Sequence, residues 1–186
     1  MSYAPRPEEI QLVQRCLQGD AKAQQKLFEL FYGKMLAVCL RYTRNREEAK
    51  DILQDGFMKV FQKLEQFTFT APFDAWVRRI MVNTAIDHYR KNASDPVTKD
   101  IEDAYDLHEE NDVISDMGHT DLLNCLQDLP AGYRVVFNMY VIEGYSHKEI
   151  SEAMNITEGT SKSQLSKAKV YLQKIIANRF SSEKNG

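Results

Sequence analysis

The sequence is short of every feature that would indicate a secreted or membrane-spanning protein. Its apolar runs, such as Met35–Leu40, are far shorter than the ~20 residues that a membrane-spanning helix needs. The first nine residues hold two prolines and two glutamates and no apolar core, so they do not resemble a secretory signal. The three cysteines are few, odd in number and far apart, which argues against a disulfide framework. These absences predict a cytoplasmic protein without membrane insertion.

The sequence also lacks the motifs of common catalytic and cofactor sites. The four histidines show no metal-ligand spacing, either among themselves or with cysteines. There is no glycine-rich dinucleotide or phosphate loop and no nucleophile-elbow motif. Asp51 and Asp55 form a carboxylate pair, but no buried polar neighbour accompanies them. We therefore expect neither a catalytic residue nor a cofactor nor a metal.

Charge is distributed unevenly along the chain, although the net charge is only −3. Residues 1–93 carry a net charge of +4, residues 94–118 a net charge of −8, and residues 119–186 a net charge of +1. The acidic stretch contains a proline near its start, has no helical periodicity and holds few large apolar side chains. It predicts a linker between two domains, although a short acidic helix packed on one domain is the alternative.

Helical periodicity dominates both ends of the chain, and no strand pattern competes with it. In the first 93 residues, apolar stripes predict four helices, with Gly19 ending the first and Asp20 capping the second. We expect Leu17 to belong to the first stripe, and Phe28 and Leu30 to lie on the inner face of the second helix. The fold class is predicted to be all-α, with two small helical domains.

The predicted third and fourth helices carry polar faces opposite their apolar stripes. On the third, Asp51, Gln54 and Asp55 lie together with Met58 and Gln62. The fourth carries Arg79, Asn83, Asp87 and Arg90, and four aromatic residues lie near its start. Arginine and asparagine bind phosphates and base edges, and aromatic rings stack on unpaired bases. Ordinary solvated helix faces, with Asp87 pairing to Arg90 or Lys91, are the alternative.

The C-terminal part contains a helix-turn-helix pattern over Tyr145–Ile176. Ser146 and Glu149 predict a capping box, Asn155 suits a left-handed turn residue, and Thr157 caps the next helix. That second helix buries an apolar side and presents polar donors suited to bases and phosphates. The pattern indicates DNA binding, whereas a plain helical hairpin with a lysine-rich face is the alternative.

Two separated motifs together resemble one protein family. The stretch DILQDGFMKVFQKLEQF (Asp51–Phe67), followed by FDAWVRRIMVNTAIDHYRK (Phe73–Lys91), resembles region two of bacterial RNA polymerase sigma factors. The stretch Leu126–Leu172 is similar to region four. The acidic stretch stands in place of region three, as in the small extracytoplasmic-function (ECF) type.

The resemblance implies a sigma factor that binds core RNA polymerase and promoter DNA, with an anti-sigma factor as a further partner. It implies region two over residues 8–93, a linker over 94–118 and region four over 119–180. The implied polymerase-binding residues are Asp51, Gln54 and Asp55. Those implied for the minus-ten element are Phe67, Thr68, Phe69, Thr70, Ala71, Arg78, Arg79, Asn83, Arg90 and Lys91. Those implied for the minus-thirty-five element are Thr160, Lys162, Ser163, Gln164 and Lys167.

Two rival functions remain open at this point. A transcription regulator could carry the same helix-turn-helix behind an N-terminal sensor or dimerisation domain. An interaction protein could carry a degenerate region four that no longer binds DNA. The polar face around Asp51 and the Phe67–Lys91 block favour the sigma factor, because a sensor domain has no reason to carry them.

Overall fold

The computed structural model describes residues 4–93 and 119–183 of the chain. Within those two ranges the regular structure is helical and contains no strand, which confirms the all-α prediction. The predicted linker, residues 94–118, lies outside the described residues. The described residues form eight α-helices: α1 (Pro7–Leu17), α2 (Ala21–Leu40), α3 (Arg46–Lys63), α4 (Phe73–Ala93), α5 (His119–Gln127), α6 (Ala131–Phe137), α7 (His147–Met154) and α8 (Glu158–Glu183).

Packing divides the chain into two compact units. The first unit comprises the residues up to Leu40 together with Arg46–Ala85, and the second comprises Arg41–Asn45 together with the residues from Ile86 onward. The boundary therefore falls inside α4, whose last two turns belong to the second unit.

Local chemistry sets the helix ends of the first unit. Pro7 opens α1, where its fixed backbone angle suits the first helical turn. Gly19 follows α1 with φ of +77°, a conformation that glycine adopts without steric cost. Asp20 caps α2 by accepting hydrogen bonds from the backbone N–H groups of Lys22 (2.9 Å) and Ala23 (3.2 Å). The caps predicted at this corner are confirmed.

The core of the first unit is made of large apolar side chains from all four helices. Burial of such side chains is the main force that holds a helical unit together. The most buried members include Val13, Leu27, Cys39, Ala49, Ile52, Leu53, Val60, Leu64, Phe73, Val77, Met81 and Val82.

The second unit is built around α6 and α8, with α5 and α7 packed beside them. Pro130 precedes α6, and a π-helical turn over Asn138–Ile142 extends that helix toward Gly144, which has φ of +76°. The core collects apolar residues from every helix of the unit. They include Cys125, Leu126, Leu129, Val136, Met139, Ile150, Leu165, Ala168, Leu172 and Ile176.

Three residues expected on buried stripes of the first unit lie at the surface instead. Leu17 is 50% exposed, Phe28 37% and Leu30 55%. The prediction that they face the core is wrong. Periodicity places an apolar residue on a helix face, but the width of the buried stripe depends on how the neighbouring helices cover that face.

None of the helices described is both long enough and apolar enough to span a membrane.

Candidate protein and nucleic-acid interfaces

Helix α3 separates a polar face from a fully buried one. Asp51, Gln54, Asp55 and Met58 are exposed, whereas Ile52, Leu53, Gly56, Phe57 and Val60 are buried on the other side. The structure therefore brings the three predicted polymerase-binding residues together on one accessible surface. The exposed thioether of Met58, with 55% of its surface accessible, adds an apolar element beside them.

The loop between the 3-10 turn at Leu64–Gln66 and α4 is organised around aromatic rings. Phe67 is buried, and its ring centroid lies 4.7 Å from Phe69, 5.0 Å from Phe73 and 5.4 Å from Trp76. Phe67 is therefore the base of the cluster rather than an open stacking surface. The predicted minus-ten residues that are exposed in this loop are Thr68, Thr70 and Ala71.

Phe69 adopts a backbone conformation that is costly for its residue type. Its φ is +57°, in the left-handed region that bulky side chains rarely occupy. The ring is half-buried against Phe67, and the hydroxyl oxygens of Thr68 and Thr70 on either side lie 3.0 Å apart. Such conformations persist where surrounding structure holds them, and they concentrate at functional sites.

The polar residues of α4 follow the helix on one side. Arg79, Asn83, Arg90 and Lys91 are exposed, and Arg78 is half-buried. Arg90 pairs with Asp87 at 3.9 Å, as the solvated-face alternative expected. Both partners of this pair are half exposed, so the pair contributes only about 0–1 kcal/mol.

Helices α7 and α8 form the predicted helix-turn-helix. The side chain and backbone N–H of Ser146 form a reciprocal capping box with Glu149 at the start of α7. Asn155 ends that helix in the left-handed conformation, with φ of +56°. The Thr157 hydroxyl accepts a hydrogen bond from the backbone N–H of Thr160 (3.0 Å) at the start of α8. All three features were predicted from the sequence and are confirmed.

The predicted reading residues of α8 do not all face the same way. Thr160, Lys162, Ser163 and Lys167 are exposed, while Leu165, Ala168, Leu172 and Ile176 are buried behind them. Gln164 is half-buried, and its Oε1 is a buried acceptor without a hydrogen-bond partner. Its Nε2 lies 3.5 Å from the place that a Cβ on Gly132 of α6 would occupy. Gln164 is thus directed toward α6 and away from the face that the two lysines share.

Arg134 and Ser161 are among the buried polar residues of the second unit whose burial was not predicted from the sequence. Arg134 of α6 is 1% exposed and donates hydrogen bonds to the backbone carbonyls of Leu126, Gln127 and Leu129. Ser161 of α8 is fully buried and hydrogen-bonds His147 of α7. No local signal marks Arg134, because arginine at a helix surface is far commoner than a buried one.

Among the side chains described, no three potential metal ligands cluster together. Burial raises the pKa of the Cys16 and Cys125 thiols, which keeps both in the unreactive protonated form.

Comparison with known families matches two models in sequence order. Residues 27–94 match sigma-70 region 2, and residues 119–172 match sigma-70 region 4. The ECF RNA polymerase sigma-E factor of Haemophilus influenzae is 29% identical over 177 residues, covering 89% of this chain and 93% of the relative. The ECF RNA polymerase sigma factor SigW of Bacillus subtilis is 26% identical over 174 residues, covering 87% and 93%.

A solved structure supports the same fold. The sigma factor RpoE from Bartonella quintana, determined in complex with the anti-sigma factor NepR, aligns with a TM-score of 0.51. The alignment covers 82% of this chain and 96% of that chain, at 21% sequence identity.

Region two followed by region four defines an RNA polymerase sigma factor, a transcription initiation factor and not in itself a catalytic enzyme. The chain belongs to the sigma-70 family, and its relatives identify it as a member of the ECF type. It directs core RNA polymerase to promoters.

Proposed function

We propose that promoter recognition uses three surfaces, two on region two and one on region four. Residues 8–93 form region two, which binds polymerase and opens the minus-ten element, residues 94–118 form the linker, and residues 119–180 form region four, which binds the minus-thirty-five element. The observation that carries this division is the complete helix-turn-helix, whose α8 presents Lys162, Ser163 and Lys167 to solvent. A degenerate region four would have no reason to keep both helix caps and an uncovered basic face.

The polymerase-binding surface is the exposed face of α3. Replacing Asp51 and Gln54 by alanine removes polar groups without touching the buried stripe, so helicity should stay unchanged while affinity for core polymerase falls. Gln25 and Glu29 on α2 are a matched control, because they are also an exposed amide and an exposed carboxylate on one helix. Equal affinity of both double variants for core polymerase, measured by competition with the unmodified chain, would contradict the assignment.

The minus-thirty-five surface is the exposed face of α8. Each phosphate neutralised by a lysine contributes about 0.9 to the slope of log affinity against log salt concentration. The Lys162→Ala/Lys167→Ala variant, assembled with core polymerase, should show a shallower slope or an altered base preference on duplex promoter DNA. The Lys26→Ala/Lys34→Ala variant removes two exposed lysines of α2 as a control. An unchanged slope together with an unchanged base preference would remove α8 from the interface.

The minus-ten surface combines the Phe67–Pro72 loop with α4. Extruding a base costs a few kcal/mol, which stacking of about 1–3 kcal/mol per base largely offsets. Phe69→Ala and Asn83→Ala should reduce promoter opening, measured by permanganate reactivity of unpaired thymines, while the closed complex still forms. Gln11→Ala, an exposed change on α1, is the control. Full opening by both variants would contradict the assignment.

Two further features complete the proposed function. Its site of action is the cytoplasm, where the polymerase is. Its regulator is an anti-sigma factor, as for the Bartonella quintana sigma factor solved with NepR. Purification of the full chain from its host should recover such a protein, and adding that protein back should inhibit run-off transcription. Recovery of core polymerase alone would contradict regulation by an anti-sigma factor.

A further inference from the structure

A part-buried polar contact joins the two helices of the helix-turn-helix. His147 Nδ1 at the start of α7 and Ser161 Oγ in the first turn of α8 share a hydrogen bond of 2.9 Å. Ser161 has no exposed surface, so its hydroxyl has no water to bind instead. A buried hydroxyl requires a partner, and here His147 supplies it. Neither residue belongs to the proposed interfaces.

The His147 ring is also held from its other side. It stacks on Tyr140 with the ring centroids 4.5 Å apart and the planes 22° from parallel. Tyr140 belongs to the π-helical turn that follows α6. His147 therefore connects three elements: the end of α6, the first turn of α7 and the first turn of α8.

Ser161 lies next to the proposed reading residues in the first turn of α8. It directly precedes Lys162 and Ser163, and its backbone N–H donates to the carbonyl of Thr157 (3.0 Å). A bond at Ser161 thus fixes the rotation of the turn that carries the proposed reading residues. Hydrogen bonds to base edges tolerate only a few tenths of an ångström, so the rotation of this turn decides which base edges are reached.

We propose that His147 and Ser161 are positioning residues for recognition of the minus-thirty-five element. They touch no DNA, and they act by setting the orientation of the first turn of α8 relative to α7. This inference rests on the proposed function of α8 and adds a determinant of its sequence preference.

The test compares sequence preference with overall affinity. The full chain, assembled with core polymerase, selects duplexes from a pool randomised over a short window upstream of a fixed minus-ten element. Dissociation constants are then measured for the selected duplex and for duplexes that differ from it by one base pair. Ser161→Ala removes only the hydroxyl. His147→Phe keeps a ring to stack on Tyr140 and removes the nitrogen. His147→Asn places an amide where Nδ1 lies.

We expect Ser161→Ala and His147→Phe to lose discrimination between the selected and the substituted duplexes, by about threefold or more. Affinity for an unrelated duplex should change by less than about twofold, because the lysines that contact phosphates are retained. His147→Asn should keep the discrimination of the unmodified chain. If His147→Phe does not fold, Ser161→Ala decides, since it introduces no new volume into the core.

Three results would overturn the inference. Unchanged discrimination by both Ser161→Ala and His147→Phe would show that the bond does not orient the reading face. A parallel loss of affinity for selected and unrelated duplexes would show a purely structural role. Retained discrimination by His147→Phe together with lost discrimination by His147→Asn would show that ring packing on Tyr140 acts instead of the bond. The proposed function fails in a different way, by the unmodified chain selecting no sequence at all.

Discussion

Gly56 marks a close approach between α3 and α4, and its replacement by alanine gives a sharp test of the packing. A Cβ at this position would overlap the Met81 sulfur and lie 3.1 Å from its Cε. Met81 is fully buried, so the thioether cannot simply rotate into solvent. The same substitution at Gly33 of α2 meets no atom within 4 Å.

The expected effects have opposite signs at the two glycines. Alanine in a helix interior is favoured over glycine by about 0.5–1 kcal/mol, and at Gly33 this gain should appear as a higher free energy of unfolding. At Gly56 the same gain is opposed by overpacking, which costs about 1–3 kcal/mol. The net effect of Gly56→Ala is therefore a loss of about 1 kcal/mol. In a Met81→Ala background the obstacle is gone, so Gly56→Ala should become stabilising.

The assay must report the first unit alone, because a chain with two units need not unfold in one step. Native-state hydrogen exchange of the α3 amides at increasing urea concentration meets this need, since it gives the free energy of opening for that helix. Stabilisation by Gly56→Ala equal to that by Gly33→Ala would refute the reasoning. So would a destabilisation that persists unchanged in the Met81→Ala background.

Three further substitutions test other contacts. Asn155→Gly should have a free energy of unfolding about 1–2 kcal/mol higher than that of Asn155→Ala, measured by thermal denaturation. The left-handed φ of +56° is unfavourable for alanine, which has a Cβ and no polar side chain to hydrogen-bond locally. Equal stability of the two variants would contradict this. The Arg15 hydrogen bond, followed by that from the Ala23 backbone, lowers the pKa of Asp20. The ionised Asp20 carboxylate therefore contributes stability above the usual carboxyl pKa of 3.8, and this contribution is lost as the pH falls from 3.8 through the lowered pKa. Asp20→Asn should accordingly lose less stability in an acid titration than the unmodified chain does. Identical titrations of the two proteins would refute this. Arg134→Lys should lower the free energy of unfolding of the second unit by about 2–4 kcal/mol, because lysine cannot reach three carbonyls in fork geometry. Native-state hydrogen exchange of the α6 amides measures this loss for the second unit, and a loss below about 1 kcal/mol would count against the role of Arg134.

Features that depend on neighbouring residues in the chain could be predicted from the sequence. The Ser146–Glu149 capping box, the left-handed Asn155 and the Thr157 cap each involve residues at most three positions apart. Their hydrogen bonds form whenever the helix begins at that point, whatever packs on it. The exposed face of α3 was predictable for a similar reason, since 3.6 residues per turn fixes which side chains share a side.

Features that depend on the distance between helices could not be predicted in this way. Phe28 is 37% exposed although it belongs to an apolar stripe, because the neighbouring helices leave part of that face uncovered. The inward turn of Gln164 depends on the space left by Gly132 across the helix pair. The bond between His147 and Ser161 joins residues 14 positions apart, so it depends on how α7 and α8 cross. Sequence periodicity carries none of these distances.

The single tryptophan of the chain lies within the aromatic cluster at the proposed minus-ten surface. Trp76 is half-buried, and its ring stacks on Phe73 with the planes 24° apart. Indole fluorescence responds to the polarity and stacking partners of the ring. Because Trp76 is the single tryptophan, all tryptophan fluorescence of this protein reports on the surroundings of that loop. The free chain is therefore its own unlabelled optical probe. Adding single-stranded oligonucleotides to it tests the proposed base capture at this loop, separately from the proposed duplex binding by α8.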